Sequence, residues 1–157
     1  MKIALITGAT SGIGMATAKL FAAKGYKLIL CGRRTERLNE LKNELNTEVH
    51  TLTFDVRNRE DVFKALESIP TEFKDIDILL NNAGNAHGLS SIQNGNLDDW
   101  DAMMDGNVKG LLYVTKAILP NMIARNSGFI VNIGSVAAKE VYPNGNVYCA
   151  SKHAVDA

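Results

Sequence analysis

The sequence has few cysteines and no excess of charge of either sign. Cys31 and Cys149 are its two cysteines, and neither has metal-ligand spacing around it, so both are interpreted as reduced, structural residues. Seventeen basic residues balance seventeen acidic ones, which argues against nucleic acid or an anionic membrane surface as a partner. The expected partners are therefore small molecules.

The sequence also lacks a long hydrophobic run. No uncharged stretch is apolar enough to span a bilayer, and the first apolar run begins at Ile3 and leads directly into a glycine turn, without space for a signal peptide. We therefore expect a cytoplasmic protein. Its 157 residues, 46% hydrophobic and 22% charged, are typical of a globular domain with its own core.

Short β-rich runs alternate along the chain with segments of helical hydrophobic spacing. The predicted strands are 2–7, 27–31, 49–54, 76–80 and 129–133, and the predicted helices are 12–24, 36–45, 59–69, 97–124 and a last one that opens near Asn146. Strands that alternate with helices predict an α/β fold, in which a doubly wound, mostly parallel sheet is covered on both faces. The expected strand order is 3-2-1-4-5.

A glycine-rich turn joins the first predicted strand to the first helix. Glycines in such a turn let the backbone bend tightly and approach a pyrophosphate, which then lies at the positive end of the helix dipole. After the first strand of a βαβ pattern, the turn predicts a dinucleotide site in a Rossmann-type fold, with a simple tight turn as the alternative. The candidate cofactor-binding residues here are Gly8, Ala9, Thr10, Ser11, Gly12, Ile13 and Gly14.

Arg33 and Arg34 stand at the tip of the second strand, where an acidic residue would accept the ribose 2′-hydroxyl of NAD. Two guanidinium groups suit a 2′-phosphate instead, so NADP(H) is the predicted cofactor, and a solvated basic helix start is the alternative. Asp55, after the third strand, is a candidate partner of the adenine amino group, with Val56 beside it, although an aspartate there also suits a loop or a helix cap.

Small and amide residues follow the fourth strand, at the sheet edge where ligands bind. Asn82, Ala83 and Gly84 permit close approach of a ribose or nicotinamide, and an ordinary Asn-Gly loop is the alternative. Asn107 lies next to a glycine inside the predicted helix 97–124. Because both residues are poor helix formers, we expect a local distortion and a functional side chain there.

Tyr148 and Lys152 are four residues apart and share one face of the last predicted helix. An ammonium near a phenol favours the phenolate, which makes the phenol a usable acid or base. Ser135 ends an apolar run, and its hydroxyl could reach the same place. The pair is weak by itself, because a half-buried tyrosine beside a solvated lysine gives the same pattern.

These motifs together resemble the short-chain dehydrogenase/reductase family over the whole chain. The resemblance is carried by segments 7–14, 81–84 and 148–152, with Asn107 and Ser135. It implies that Tyr148 is the general acid/base and that Lys152 tunes it and binds the nicotinamide ribose. It further implies that Ser135 polarises the substrate carbonyl, that Asn107 holds a proton-relaying water, and that the protein is a homo-oligomer.

Further segments are similar to those of the NADP-dependent 3-hydroxy acid dehydrogenases, which implies serine, allo-threonine or a similar small alcohol as substrate. They are 32–34, 54–59, 76–79 and 145–148. Two other hypotheses are a regulator that senses NADP without turnover and an inert fragment. Family members run to about 250 residues, so we expect residues 1–157 to be a single dinucleotide-binding domain that is incomplete at its C-terminus.

Overall fold

The sheet has five parallel strands in a computed structural model that describes residues 1–157. The strands are β1 (Ile3–Thr7), β2 (Lys27–Gly32), β3 (Val49–Thr53), β4 (Ile78–Asn81) and β5 (Phe129–Asn132). Their order is β3-β2-β1-β4-β5, with every neighbouring pair parallel, so the predicted fold class and strand order are confirmed. β2 and β3 are added on one side of β1, whereas β4 and β5 are added on the other. This change in the order of strands leaves a crevice at the carboxyl ends of β1 and β4.

Helices connect the strands, and their bounds differ from prediction mainly in the segment before β5. They are α1 (Gly12–Ala23), α2 (Thr35–Glu44), α3 (Arg59–Glu67), α4 (Leu97–Met103), α5 (Leu111–Ala124) and α6 (Asn146–Asp156), with 3₁₀ turns at Thr71–Phe73, Ile92–Asn94 and Val136–Ala138. No helix in the structure has the length and hydrophobicity needed to cross a membrane.

The predicted helix over 97–124 is helical along its whole length, but it is not uniformly α-helical. A π-helical turn, Met104–Gly110, separates α4 from α5 and contains Asn107. The local distortion expected there is therefore confirmed. Gly110 within this turn lies against the loop after β3, where an added Cβ would be 2.8 Å from Val56. The glycine thus permits a close packing that a side chain would prevent.

The strand β4 begins two residues later than predicted, because the chain turns as it enters the sheet. The amide of Ile76 donates to the carbonyl of Lys74, 2.9 Å away. Asp77 then accepts a hydrogen bond from the amide of Ile3 through its carboxylate, at 2.9 Å. This side-chain contact fixes the entry to β4 against the start of β1, and ladder pairing begins at Ile78.

Two apolar layers enclose the sheet, one on each face. Leu5 of β1 packs in a cluster with Val62 of α3 and Val114 of α5, while its neighbour Ile6 packs in another cluster on the opposite face with Ala18 of α1. Every residue of β1 is buried. Burial on both faces explains why the central strands are continuous apolar runs. The loops that line the cleft emerge from the carboxyl ends of these buried strands.

Candidate active site

A cleft of about 480 Å³ lies at the carboxyl ends of the strands. Its walls come from the glycine turn, the tip of β2, the loops after β3 and β4, and α6. The predicted site residues that line it are Gly8, Thr10, Ser11, Ile13, Arg33, Arg34, Asp55, Val56, Asn82, Ala83, Gly84, Tyr148 and Lys152. The structure therefore brings into one crevice residues that are more than a hundred positions apart in the sequence.

Five other predicted site residues are not among those that line the cleft, and the sequence could not distinguish the two sets. They are Ala9, Gly12, Gly14, Asn107 and Ser135. Ala9 is fully buried. A Cβ on Gly14 would meet the carbonyl oxygen of Gly8 and the side chain of Asn82. Ala9 and Gly14 thus shape the glycine turn from its buried side, while Gly12 is exposed and Ser135 is half-buried.

The glycine turn leaves the start of α1 open toward the cleft. Gly8 has a φ of 64° and Gly12 a φ of 52°, both in the left-handed region that favours glycine. The residue that precedes α1, Ser11, makes no side-chain cap, and the first turn of α1 has no acidic residue. The first amides of α1 and its positive dipole end are thus available to an anion. This set of donors fits a pyrophosphate.

Thr7 and Asn82 hold the glycine turn against the end of β4. The hydroxyl oxygen of Thr7 accepts from the amides of Asn82 and Ala83, each at 3.0 Å. The side-chain amide of Asn82 donates to the carbonyls of Thr7, at 2.9 Å, and Gly8, at 3.1 Å. Asn82 therefore supports the turn as well as lining the cleft. Thr7 was not predicted, since nothing in a local pattern indicates its partners on β4.

Three arginines surround the end of the cleft next to β2 and β3. Arg34 donates from Nη2 to the hydroxyl of Thr10, 2.7 Å away, which ties the tip of β2 to the glycine turn. Arg33 lies 3.8 Å from the carboxylate of Asp55. Arg57, which the sequence analysis did not select, lines the cleft and pairs with the same carboxylate at 2.7 Å. Its position two residues after Asp55 is the only signal that could have indicated it.

The surroundings of Asp55 favour the charged form of its carboxylate. Burial disfavours the charge, but the hydrogen bonds and charge of Arg57, together with the charge of Arg33, outweigh burial and lower the pKa of Asp55. Its oxygens accept from the backbone amide, Nε and Nη2 of Arg57. The carboxylate predicted to contact adenine is therefore already engaged by a neighbouring guanidinium group.

Tyr148 and Lys152 lie at the opposite end of the cleft. The Nζ of Lys152 is 6.0 Å from the centroid of the Tyr148 ring and donates to the carbonyl of Ile133, 2.9 Å away. Lys152 is only 8% exposed, and this burial lowers its pKa. Ser135, after β5, accepts a hydrogen bond from the amide of Ala137 at 3.2 Å. Accepting that bond leaves the hydroxyl hydrogen of Ser135 available to a ligand.

Asn107 connects the loop after β4 to α6. Its Oδ1 accepts from the amide of Asn85 at 2.8 Å, and its Nδ2 donates to the carbonyl of Asn85 at 2.8 Å and to the hydroxyl of Ser151 at 3.0 Å. Ser151 in turn donates to the carbonyl of Tyr148. Both amide hydrogens of Asn107 are therefore occupied by the protein. Asn85 and Ser151 were missed because their partners are distant in the sequence.

A comparison of the sequence with family models identifies the chain. The model described as short chain dehydrogenase matches residues 2–157. The chain belongs to this family. The family membership expected from the motifs is thereby confirmed. The chain contains no group of three or more His, Cys, Asp or Glu side chains that could hold a metal ion.

Curated members of the short-chain dehydrogenase family match most of this chain. One is the NADP-dependent 3-hydroxy acid dehydrogenase YdfG of Salmonella typhi, 49% identical over 150 residues, which are 96% of this chain and 60% of that protein. Another is the serine 3-dehydrogenase of Rhizobium radiobacter, 49% identical over 148 residues, or 94% of this chain and 59% of that protein. The chain thus spans about 60% of the length of these relatives.

Solved structures of the family share the fold. The serine dehydrogenase from Escherichia coli superposes with a TM-score of 0.90 at 48% identity, over 96% of this chain and 70% of that one. A closed form of serine dehydrogenase complexed with NADP+ gives a TM-score of 0.91 at 48% identity, over 96% of this chain and 61% of that one. The arrangement of strands and helices is therefore that of short-chain dehydrogenases of known structure.

Proposed function

We propose that the protein is an NADP-dependent oxidoreductase that acts on a small alcohol or carbonyl compound. The observation that carries the proposal is the cleft, which joins a pyrophosphate-type turn and two arginines at one end to Tyr148 and Lys152 at the other. The relatives named above are NADP-dependent or serine dehydrogenases, at 48–49% identity. This likeness supports the same cofactor for the present protein.

The residues present fit the cofactor. The amides at the start of α1, beside Gly8 and Ser11, suit the pyrophosphate, and a Cβ on Gly8 would come within 2.9 Å of Asn82 and disturb the turn. Arg33 and Arg34 suit the 2′-phosphate because a guanidinium fork can bind a phosphate with two hydrogen bonds. When bound, NADP(H) supplies or accepts the hydride, which no side chain can do.

The side chains at the other end of the cleft have proposed roles in proton transfer. Tyr148 exchanges a proton with the substrate oxygen, and the ammonium of Lys152 binds the nicotinamide ribose. Ser135 uses its free hydroxyl hydrogen to orient and polarise the substrate carbonyl. Asn107 keeps one acceptor position on Oδ1 for the proton-relaying water that the family resemblance implies.

We propose a 3-hydroxy acid such as serine or allo-threonine as the substrate, and a homo-oligomer in the cytoplasm as the active form. The substrate proposal rests on the two curated relatives described above. The cytoplasmic location is supported by the two free, buried cysteines, Cys31 and Cys149. Exposed apolar residues on β5, Phe129 and Val131, are consistent with further packing partners in the complete protein.

Cofactor titration tests the central part of the proposal. The complete protein is expected to bind NADPH at least about tenfold more tightly than NADH, a difference of about 1.4 kcal/mol, and Arg33→Ala should remove most of that difference. Arg37→Ala is the matched control, because Arg37 is exposed on α2 and does not line the cleft. Equal affinities for the two cofactors in the unmodified protein would contradict the proposal.

A further inference from the structure

Asp55 lies near two arginines, and its contacts with Arg57 are closer than its contact with Arg33. Oδ1 accepts from the backbone amide of Arg57 at 3.0 Å and from its Nε at 3.1 Å, while Oδ2 accepts from Nε at 3.0 Å and from Nη2 at 2.7 Å. Arg33 approaches only Oδ2, at 3.8 Å, outside hydrogen-bond distance. Arg57 thus satisfies the carboxylate and leaves Arg33 without a close partner at Asp55.

We propose that Arg57 is a specificity-determining residue, which keeps the carboxylate of Asp55 from competing with a 2′-phosphate for Arg33. The inference rests on the proposed function, since it concerns the same cofactor site. Arg57 lines the cleft together with Arg33 and Asp55, so all three groups act on a ligand at this end.

The high exposure of Arg33 explains why its availability to a phosphate depends on Arg57. The side chain of Arg33 is 65% exposed, whereas those of Arg57 and Asp55 are 38% and 26% exposed. An exposed guanidinium group keeps its freedom to reach a ligand, and it loses that freedom when a carboxylate binds it. With Arg57 removed, Arg33 is the nearest remaining cation to Asp55, and a direct pair between them becomes favourable.

In a variant without Arg57, the carboxylate of Asp55 would also interact directly with the cofactor. It repels a doubly charged phosphate, whereas it can accept a hydrogen bond from the 2′-hydroxyl of NAD, as acidic residues do at this end of other dinucleotide sites. Loss of Arg57 is thus expected to weaken NADPH binding and to spare NADH. Arg34 does not share this dependence, because its guanidinium group is held by the hydroxyl of Thr10.

The test measures dissociation constants for NADPH and NADH by fluorescence titration of the complete protein. Arg57→Ala is expected to weaken NADPH binding about fivefold while NADH affinity stays within about twofold. Arg57→Gln keeps a hydrogen-bond donor for Asp55 without the charge and should behave in the same way. Arg59→Ala is the control for loss of a nearby positive charge, because Arg59 is exposed and does not line the cleft.

The double variant Asp55→Asn/Arg57→Ala separates the proposed effect from a direct contact of Arg57 with the phosphate. Removing the carboxylate charge should restore most of the NADPH affinity if Arg57 acts through Asp55, and failure to restore it overturns the inference. An NADPH preference in Arg57→Ala equal to that of the unmodified protein also overturns the inference but leaves the proposed function intact. An unmodified protein without NADPH preference overturns both. Thermal unfolding of each variant verifies that it is folded.

Discussion

The two ends of the cleft differ in how firmly this chain holds them. The nucleotide end rests on β1, whose residues are all buried, and is cross-linked to β4 through Thr7 and Asn82. The other end rests on β5, where Phe129 is 70% and Val131 38% exposed. β5 pairs only with β4, so its outer edge is free within these residues.

This difference separates the proposed cofactor-binding end from the proposed site of proton transfer. The glycine turn is held to β1 and β4 through Thr7 and Asn82. Arg34 is in turn tied to the glycine turn by its bond to Thr10. Lys152 instead donates to Ile133, directly after the exposed strand β5. We therefore expect perturbations of β5 and α6 to affect turnover more than nucleotide binding.

The largest expected effect comes from leaving the outer edge of β5 without a partner. Residues 1–157 expressed alone are expected to aggregate or be partly molten and to lack dehydrogenase activity, because an exposed apolar edge strand pairs with other chains. The same residues followed by the C-terminal part of a relative should be soluble, oligomeric and active. Size-exclusion chromatography and an NADPH-oxidation assay measure both properties.

A charged residue on the edge strand provides the control for this experiment. Val131→Lys places a positive charge on β5 and should reduce aggregation of residues 1–157 without restoring activity, since charges on edge strands oppose pairing. A monodisperse, catalytically active protein of 157 residues would show that β5 needs no further partner. The exposure of β5 would then have no effect on the activity of the protein.

Tyr148→Phe should give the next largest effect. The change removes the proposed acid/base group and keeps the ring, so turnover of the complete protein should fall at least about 100-fold, with NADPH affinity nearly unchanged. Tyr142→Phe is the control, because Tyr142 is exposed and outside the cleft. Near-normal turnover in Tyr148→Phe would rule out the assigned role, and NADPH binding without turnover in the unmodified protein would favour the regulator hypothesis.

The sequence predicts the parts of the site that depend on local pattern. Alternating strands and helices give the sheet order, and the glycine turn after β1 gives the nucleotide end. The contacts behind the cleft are not predictable in this way, because Asn107 bonds to Ser151 across 44 residues and to Asn85 across 22. The same limit explains why Asn107 was expected in the cleft, although it does not line it.

Asn107→Ala tests the connection between the two ends. It leaves the half-buried backbone amide and carbonyl groups of Asn85 without their partner and removes the buried bond to Ser151, so the free energy of unfolding should fall by about 1–3 kcal/mol. Asn107→Asp is the control, since it keeps an acceptor for the amide of Asn85 and loses the donors. Urea unfolding of the complete proteins measures the loss. An unchanged midpoint would show that Asn107 does not hold α6 in place.

Lys152 should give the smallest effect, visible as a dependence of stability on pH. Burial lowers its pKa below the ordinary value of 10.5, so the native protein binds this proton less tightly than the unfolded chain does. Between the lowered pKa and 10.5 the unfolded chain binds more protons, and the stability of the unmodified protein therefore rises with pH in that window. Below the window, the charge of Lys152 destabilises the native protein fully.

Lys152→Met removes this charge and keeps an apolar side chain of similar length. Its free energy of unfolding, relative to that of the unmodified protein, should therefore be higher at neutral pH than near pH 10.5, because only the unmodified protein regains stability as Lys152 loses its proton. Lys116→Met, at an exposed lysine of α5, controls for removal of a charge. A relative stability that is constant or rises with pH would contradict the prediction. The buried ammonium would then not oppose folding, and its bond to Ile133 would compensate for its burial.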